Sequence, residues 1–312
     1  MSEPIPSEEV GPMMTLLEHL RALRDHAVRI AIALVVCSAV AFIFADRVSV
    51  MDTEYAWIGF RNFASVFQGA IGQEFKPALL RTVSFTFFNY LTVYLFGLTL
   101  ALFMFEFKVK FQRIKSAFFT IIYLPWMVSG VGIGMLLIML FSRDTGSMNL
   151  LLLKLGLIKK AVDIQGSELV VQTAMPLMVG WRAAGFNMAL FLGGLLSIPV
   201  DTIDAAKIDG ANYIQRLLHV YFPQMIPNFI MATIFCLIGS FGVIDELVGM
   251  GAFYGNKKAQ FISIILFRLG FASESSWALG TMAEGITLTL IVYVPLLILA
   301  FFLIRYQKRK AF

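Results

Sequence analysis

Four ionisable side chains stand in or beside stretches that are otherwise apolar: Arg182, Asp245, Glu246 and Glu284. A charge at membrane depth costs at least a few kcal/mol, so it pairs or faces water. Arg182 with a nearby carboxylate is therefore a candidate polar lining for a translocation path. Asp245 or Glu246 and Glu284 are the candidate partners, and Glu284 is the one whose coupling to Arg182 is taken as the hypothesis to test. A second reading has Arg182 snorkelling to the outer interface, if its span begins near Pro176. The sequence leaves both open.

A second constellation is defined by its spacing. Ser197-Ile198-Pro199 leads into Asp204-Ala205-Ala206-Lys207-Ile208-Asp209-Gly210, and nine residues later comes Val220-Tyr221-Phe222-Pro223. This reads as a helix–turn–helix too polar to span a bilayer. Pro199 precedes the first helix, and Asp201 and Asp204 fall near its N-terminus, where the helix dipole favours acids. Gly210 is placed for a left-handed C-cap. A second amphipathic stretch, Tyr213–Val220, follows. Ala205 and Ala206 give a thin face that a partner's groove can approach closely.

Several chemistries find no support. No Gly-x-x-x-x-Gly-Lys-Ser/Thr run is present to cradle a nucleotide. His19, His26 and His219 are scattered, without metal-ligand spacing. The 16 methionines read as packing filler. Cys37 and Cys236 both lie in apolar runs and cannot make a secreted-type disulfide framework. Gly132, Gly134, Gly193 and Gly194 read as sites of close helix contact. Trp57, Trp181 and Trp277 read first as interface anchors, with stacking on a flat ligand face as the other use. No catalytic residue, metal site or cofactor site is assigned to this chain.

The elements that must carry these residues follow from composition. Hydrophobic residues make up 59% of the 312 and charged residues 14%. A soluble domain averages about 45–50% apolar and about 25% charged, so lipid is the expected solvent. Long apolar runs favour helices over a barrel. The expected fold is all-α: a polytopic membrane protein with about six transmembrane helices and one cytoplasmic hairpin. The spans fall near residues 27–45, 82–105, 116–141 (with Pro125 inside), within 170–196, 226–243 and 281–304. Residues 1–26 form an N-terminal segment, 46–81 an outer loop, 82–304 the main transmembrane domain with the hairpin at 197–224, and 305–312 a basic tail. The first run follows acidic residues and lacks a cleavage pattern, so it reads as a retained span.

Orientation rests on Lys108, Lys110, Arg113 and Lys115 in one short loop and Arg305, Lys308, Arg309 and Lys310 in the tail. Both should be cytoplasmic, and with six spans so is the N-terminus, which carries Arg21, Arg24 and Arg29. The net charge of +5 is then topology control rather than a nucleic-acid surface.

The hairpin resembles the Glu-Ala-Ala…Gly loop of binding-protein-dependent ABC importer permeases. The spacing is preserved throughout, with Asp204, Val220 and Phe222 in place of Glu, Ile and Leu. Flanking stretches are similar to the carbohydrate-uptake branch, the maltose and glycerol-phosphate type. They are Trp57-Ile58-Gly59-Phe60-Arg61-Asn62-Phe63; Arg113 with Leu124-Pro125-Trp126 and Ser129-Gly130; Gly146, Asn149 and Leu155-Gly156; and Trp181, Gly185-Phe186 and 195–199. The resemblance implies that Asp204, Ala205, Ala206, Asp209, Gly210 and Pro223 couple to a separate ATPase that binds the ATP. It also implies two ATP-binding subunits, a second permease, an extracytoplasmic solute-binding protein and an inner-membrane location. The family's Gly-rich stretch after the fifth span is replaced here by Gly249-Met250-Gly251-Ala252-Phe253-Tyr254-Gly255. Separately, Leu16-Leu17-Glu18-His19-Leu20-Arg21-Ala22-Leu23-Arg24-Asp25 resembles the start of the twin-arginine translocase C subunit, up to about Asp46. That resemblance supplies an alternative function, a translocase-like membrane subunit.

Overall fold

The computed structural model describes residues 61–106, 112–164, 167–254, 257–271 and 279–310. The expected first span, Trp57, Trp277, Lys108 and Lys110 lie outside these. The described residues are all-α. A short α1 (Arg61–Phe67) leads into α2, which runs Gly69–Glu106. Next come α3 (Gln112–Tyr123) with a tight turn Leu124–Met127, α4 (Gly130–Leu140) and α5 (Ser147–Lys154). The long α6 spans Glu168–Leu196 and α7 spans Val200–Ile208. The second arm of the hairpin is α8 (Tyr213–Arg216), continued by a wide π turn Leu217–Tyr221 and by Phe222–Gln224. The chain ends with α9 (Ile226–Phe241), α10 (Asp245–Gly249), α11 (Ile262–Phe271) and α12 (Met282–Lys310).

Among the described residues four helices are long and apolar enough to cross a membrane: α2, α6, α9 with its extension through α10, and α12. The stretch expected as the third span is a pair, Ile114–Met127 and Gly130–Leu140, bent by 87°, which makes a fifth span if the pair crosses as one broken helix. Pro125 removes a helical donor, and Val128 is extended, so the helix must stop there and restart at Gly130. Hydropathy sees one apolar run because it measures composition and not direction.

α2 begins at Gly69 rather than near Thr82. Its polar first turns are stable because their charges find partners. Glu74 accepts from Arg268 on α11 at 2.6 Å, and Arg81 donates to Glu168 at the start of α6 at 2.8 Å. Deeper in, Asn89 donates to Ser240 of α9 at 3.0 Å, so a buried amide is satisfied where water is absent. Within α2 the segment Val93–Leu98 widens to a π-helix as it crosses α6. A Cβ on Gly97 would lie 2.6 Å from Asn187 Cβ, so this crossing requires glycine.

A second close crossing joins α4 to α10. A Cβ on Gly134 would meet the Glu246 carbonyl oxygen and Gly249, both backbone. Gly194 is equally tight against Asn228, but Gly193 has nothing within 4 Å and Gly132 only the Val128 side chain at 3.9 Å. The close-contact expectation therefore holds for Gly134 and Gly194 and fails for the other two, which face open space. Replacing Gly134 with Ala should destabilise the protein by about 1–3 kcal/mol, because the obstacle is backbone. Gly193→Ala should be neutral or slightly stabilising, as alanine favours helix interiors. Thermal unfolding of the two purified variants checks this pair.

Candidate functional site

The hairpin is built as its spacing demands. α7 ends on Gly210 at φ +79°, the left-handed value expected of it. The Gly210 N–H donates to the Lys207 carbonyl at 3.1 Å and the Ala211 N–H to the Ala206 carbonyl at 3.0 Å, a complete Schellman pair. Nothing lies within 4 Å of a Cβ at Gly210, so the constraint there is purely conformational. Asn212 then starts α8 with a capping box. Its side chain accepts from the Gln215 N–H at 2.9 Å, and Gln215 Oε1 accepts from the Asn212 N–H at 2.7 Å.

One side of the hairpin is held to the spans. Ile203 of α7, Tyr221 and Met225 are buried with Met104 of α2 and Phe191 and Leu195 of α6. The Tyr221 hydroxyl donates to Glu106 at the end of α2 at 3.3 Å. The Tyr213 phenol is raised above its ordinary value, first by partial burial and then by the Glu106 charge. The other side is open. Asp204, Ala205, Asp209, Gly210 and Pro223 are exposed, and Ala206 is half-buried. Around them Ile208 is 86% exposed and Ile214 63%. Asp204 pairs with Lys207 at 2.7 Å, a solvent-exposed contact worth a few tenths of a kcal/mol at most.

The charged cluster forms where the bent pair breaks. A break in a helix inside lipid leaves carbonyls without donors, and something must satisfy them. Arg182 of α6 does so: its Nη1 donates to the Val128 carbonyl at 3.2 Å. Its Nη2 donates to Glu246 Oε1 at 2.7 Å, and Glu246 is 4% exposed. The guanidinium lies 5.3 Å from the Trp126 ring centre, and Trp126 stacks on Phe186 at 5.0 Å. Gly130 leaves room for this, since a Cβ there would sit 2.6 Å from Asp245 Cβ and 3.1 Å from the Glu246 carboxyl. Asp245 is exposed beside the pair.

Glu284 is not part of this cluster. Thr281 and Glu284 form a capping box at the start of α12. Glu284 Oε2 accepts from the Thr281 N–H at 2.9 Å and the Thr281 hydroxyl at 3.0 Å, and the Glu284 N–H donates back to that hydroxyl at 3.3 Å. The expected Arg182–Glu284 coupling is thus corrected to Arg182–Glu246: the carboxylate of Glu284 serves its own helix end. Thr-x-x-Glu before an apolar run was the sequence signal for that. Trp126 and the Val128 carbonyl were not singled out as site groups, although Pro125 marked the break that exposes them. Trp181, the residue before Arg182, is 45% exposed.

A family model described as "Binding-protein-dependent transport system inner membrane component" matches residues 93–312. The chain is 26% identical over 253 residues to the arabinooligosaccharides transport system permease protein of Bacillus subtilis (strain 168), covering 80% of this chain and 76% of that protein. It is 26% identical over 239 residues to the trehalose/maltose transport system permease protein of Thermococcus litoralis, covering 77% of each. A bacterial alginate ABC transporter, solved in complex with an alginate pentasaccharide-bound periplasmic protein, has a chain of similar fold. Its TM-score is 0.69 at 21% identity, over 92% of this chain and 95% of that one. Residues 16–46, which carried the translocase resemblance, lie outside both the family match and the described residues.

Removing Arg182 should cost more than removing Glu284. Arg182→Ala leaves a buried carboxylate and an unpaired carbonyl, for a loss of about 3 kcal/mol, the low end for a broken buried pair. The thermal midpoint should recover when Glu246→Gln is added, because the stranded charge is then gone. Adding Glu284→Gln to Arg182→Ala should give no recovery.

Proposed function

Because the chain belongs to the family of binding-protein-dependent transport system inner membrane components, we propose that it is the permease subunit of an ATP-driven importer of sugars or oligosaccharides. Two ATP-binding subunits, which bind and hydrolyse the ATP, drive it from the cytoplasmic side. A solute-binding protein delivers substrate to the outer segments. A second permease completes the path. Both termini and residues 197–224 face the cytoplasm, and the chain itself makes and breaks no bonds.

The single observation that carries this reading is the two-sided hairpin. Its inner face is packed on α2 and α6, and its outer face offers small or apolar residues to a partner: Ala205, Ala206, Ile208 and Ile214. A groove on an ATPase can approach Ala205 and Ala206 closely, and burial of Ile208 and Ile214 would supply affinity. Movement of the ATPase pair then reaches the spans through the contacts of Ile203 and Tyr221. This is a two-state exchange: the nucleotide-bound motor must favour the outward-facing permease, or nothing is transmitted. The sugar assignment is supported by the carbohydrate names of the relatives and by the flanking motifs. Arg182, Glu246 and Asp245 fit a polar lining of the path, with Trp126 beside them as a flat face for a sugar ring.

Gly210→Val tests the coupling role. A β-branched residue in the left-handed region costs about 1–2 kcal/mol, and here it meets no steric obstacle. Membrane insertion and protein level should therefore persist, while substrate uptake falls by about tenfold or more. Wild-type uptake in this variant would refute the role assigned to the loop.

A further inference from the structure

Five leucines stand in the open on one short stretch: Leu150, Leu151, Leu153, Leu155 and Leu157 are 52%, 49%, 36%, 62% and 69% exposed. The stretch comprises α5 and the turn after it. α5 is fixed from behind by Asn149, whose side chain donates to the carbonyls of Ser142 at 2.9 Å and Val162 at 2.7 Å, and accepts from the Val162 N–H at 3.0 Å. Gly156, at φ +70°, ends the helix with a second Schellman pair, Gly156 N–H to the Leu153 carbonyl and Leu157 N–H to the Leu152 carbonyl. That turn folds the chain back and carries Lys159 and Lys160 beside Arg143. These three cations, with Leu153, Asp163 and Ser167, line a depression of about 780 Å³. No ion pair among the described residues holds Arg143, Lys159 or Lys160.

We propose that this segment lies along the membrane–water boundary and holds the phosphate of an anionic phospholipid headgroup between Arg143, Lys159 and Lys160, with the leucines among the acyl chains. Three features favour lipid over a protein partner. Arg143 follows the end of the apolar α4 within one turn, so the cations stand directly beside an apolar segment. The exposed apolar side chains of the stretch are leucines, which are under-represented among the hot spots of protein interfaces. Leucines on a short helix with lysine and arginine in the turns beside it are also the composition of interfacial anchors. The assignment to the outer leaflet rests on the orientation proposed above; the lipid site itself does not.

The test uses the assembled transporter purified with its partner subunits, in mixed phosphatidylglycerol and phosphatidylcholine, with retained lipid read by native mass spectrometry and no nucleotide present. A failure of ATPase coupling therefore cannot mimic a failure here. Wild type should retain phosphatidylglycerol selectively. Lys159→Gln should weaken that retention roughly fivefold and Arg143→Gln/Lys159→Gln/Lys160→Gln by more than tenfold, each cation near the surface counting separately. Excess inorganic phosphate should leave retention within twofold, because the leucines hold the tails. Equal retention in wild type and triple variant would overturn the proposal. So would displacement of the lipid by free phosphate, or a triple variant that keeps its lipid and instead loses the solute-binding protein. If the triple variant is misfolded by thermal unfolding, Lys159→Gln alone decides.

Discussion

The buried seam between the hairpin and the spans is the constraint on which the rest depends. Ile203, Tyr221 and Met225 are buried in one cluster with Met104, Phe191 and Leu195, which ties the hairpin to α2 and α6. Protein interiors are close-packed and transmit displacement rather than absorbing it. Tyr221 adds a directional contact by donating to Glu106 at the end of α2. The helix ends around this seam are capped within the chain, by the Schellman pair at Gly210 and the Asn212–Gln215 box. The hairpin's two helix ends are therefore satisfied by its own backbone and side chains.

The same demand for internal satisfaction explains the interior. In lipid no water repairs a broken helix, so the bend at Pro125 calls for a donor, and Arg182 supplies it to the Val128 carbonyl. Glu246 then balances the arginine, and Gly130, Gly134 and Gly249 let α10 come close enough for the carboxylate to reach. A cation, a carboxylate and an indole gather where this pair of helices breaks.

Much of this was legible in the sequence. α6, α9 and α12 lie close to their apolar runs, because a span inside lipid is marked by composition alone. The hairpin was readable residue by residue, since Gly210 and the Asp204–Gly210 spacing are local chemistry. What the sequence hid depends on contacts between distant residues. The start of α2 at Gly69 is hidden because Glu74 and Arg81 look like loop residues until Arg268 and Glu168 are placed beside them. The partner of Arg182 is hidden because Asp245, Glu246 and Glu284 are equally plausible by hydropathy. Packing alone shows that Glu246 turns inward, whereas the Glu284 cap is a local Thr-x-x-Glu pattern that the hydropathy reading passed over.

The account is tested most directly by a contact measurement at the tip of the hairpin. With Ile208→Cys in the assembled transporter, a short bifunctional reagent should join this position to an ATP-binding subunit in good yield, and ATP should change that yield. A cysteine at 208 that reacts with a membrane-impermeant reagent from the outer side, or that never joins an ATP-binding subunit, would contradict it.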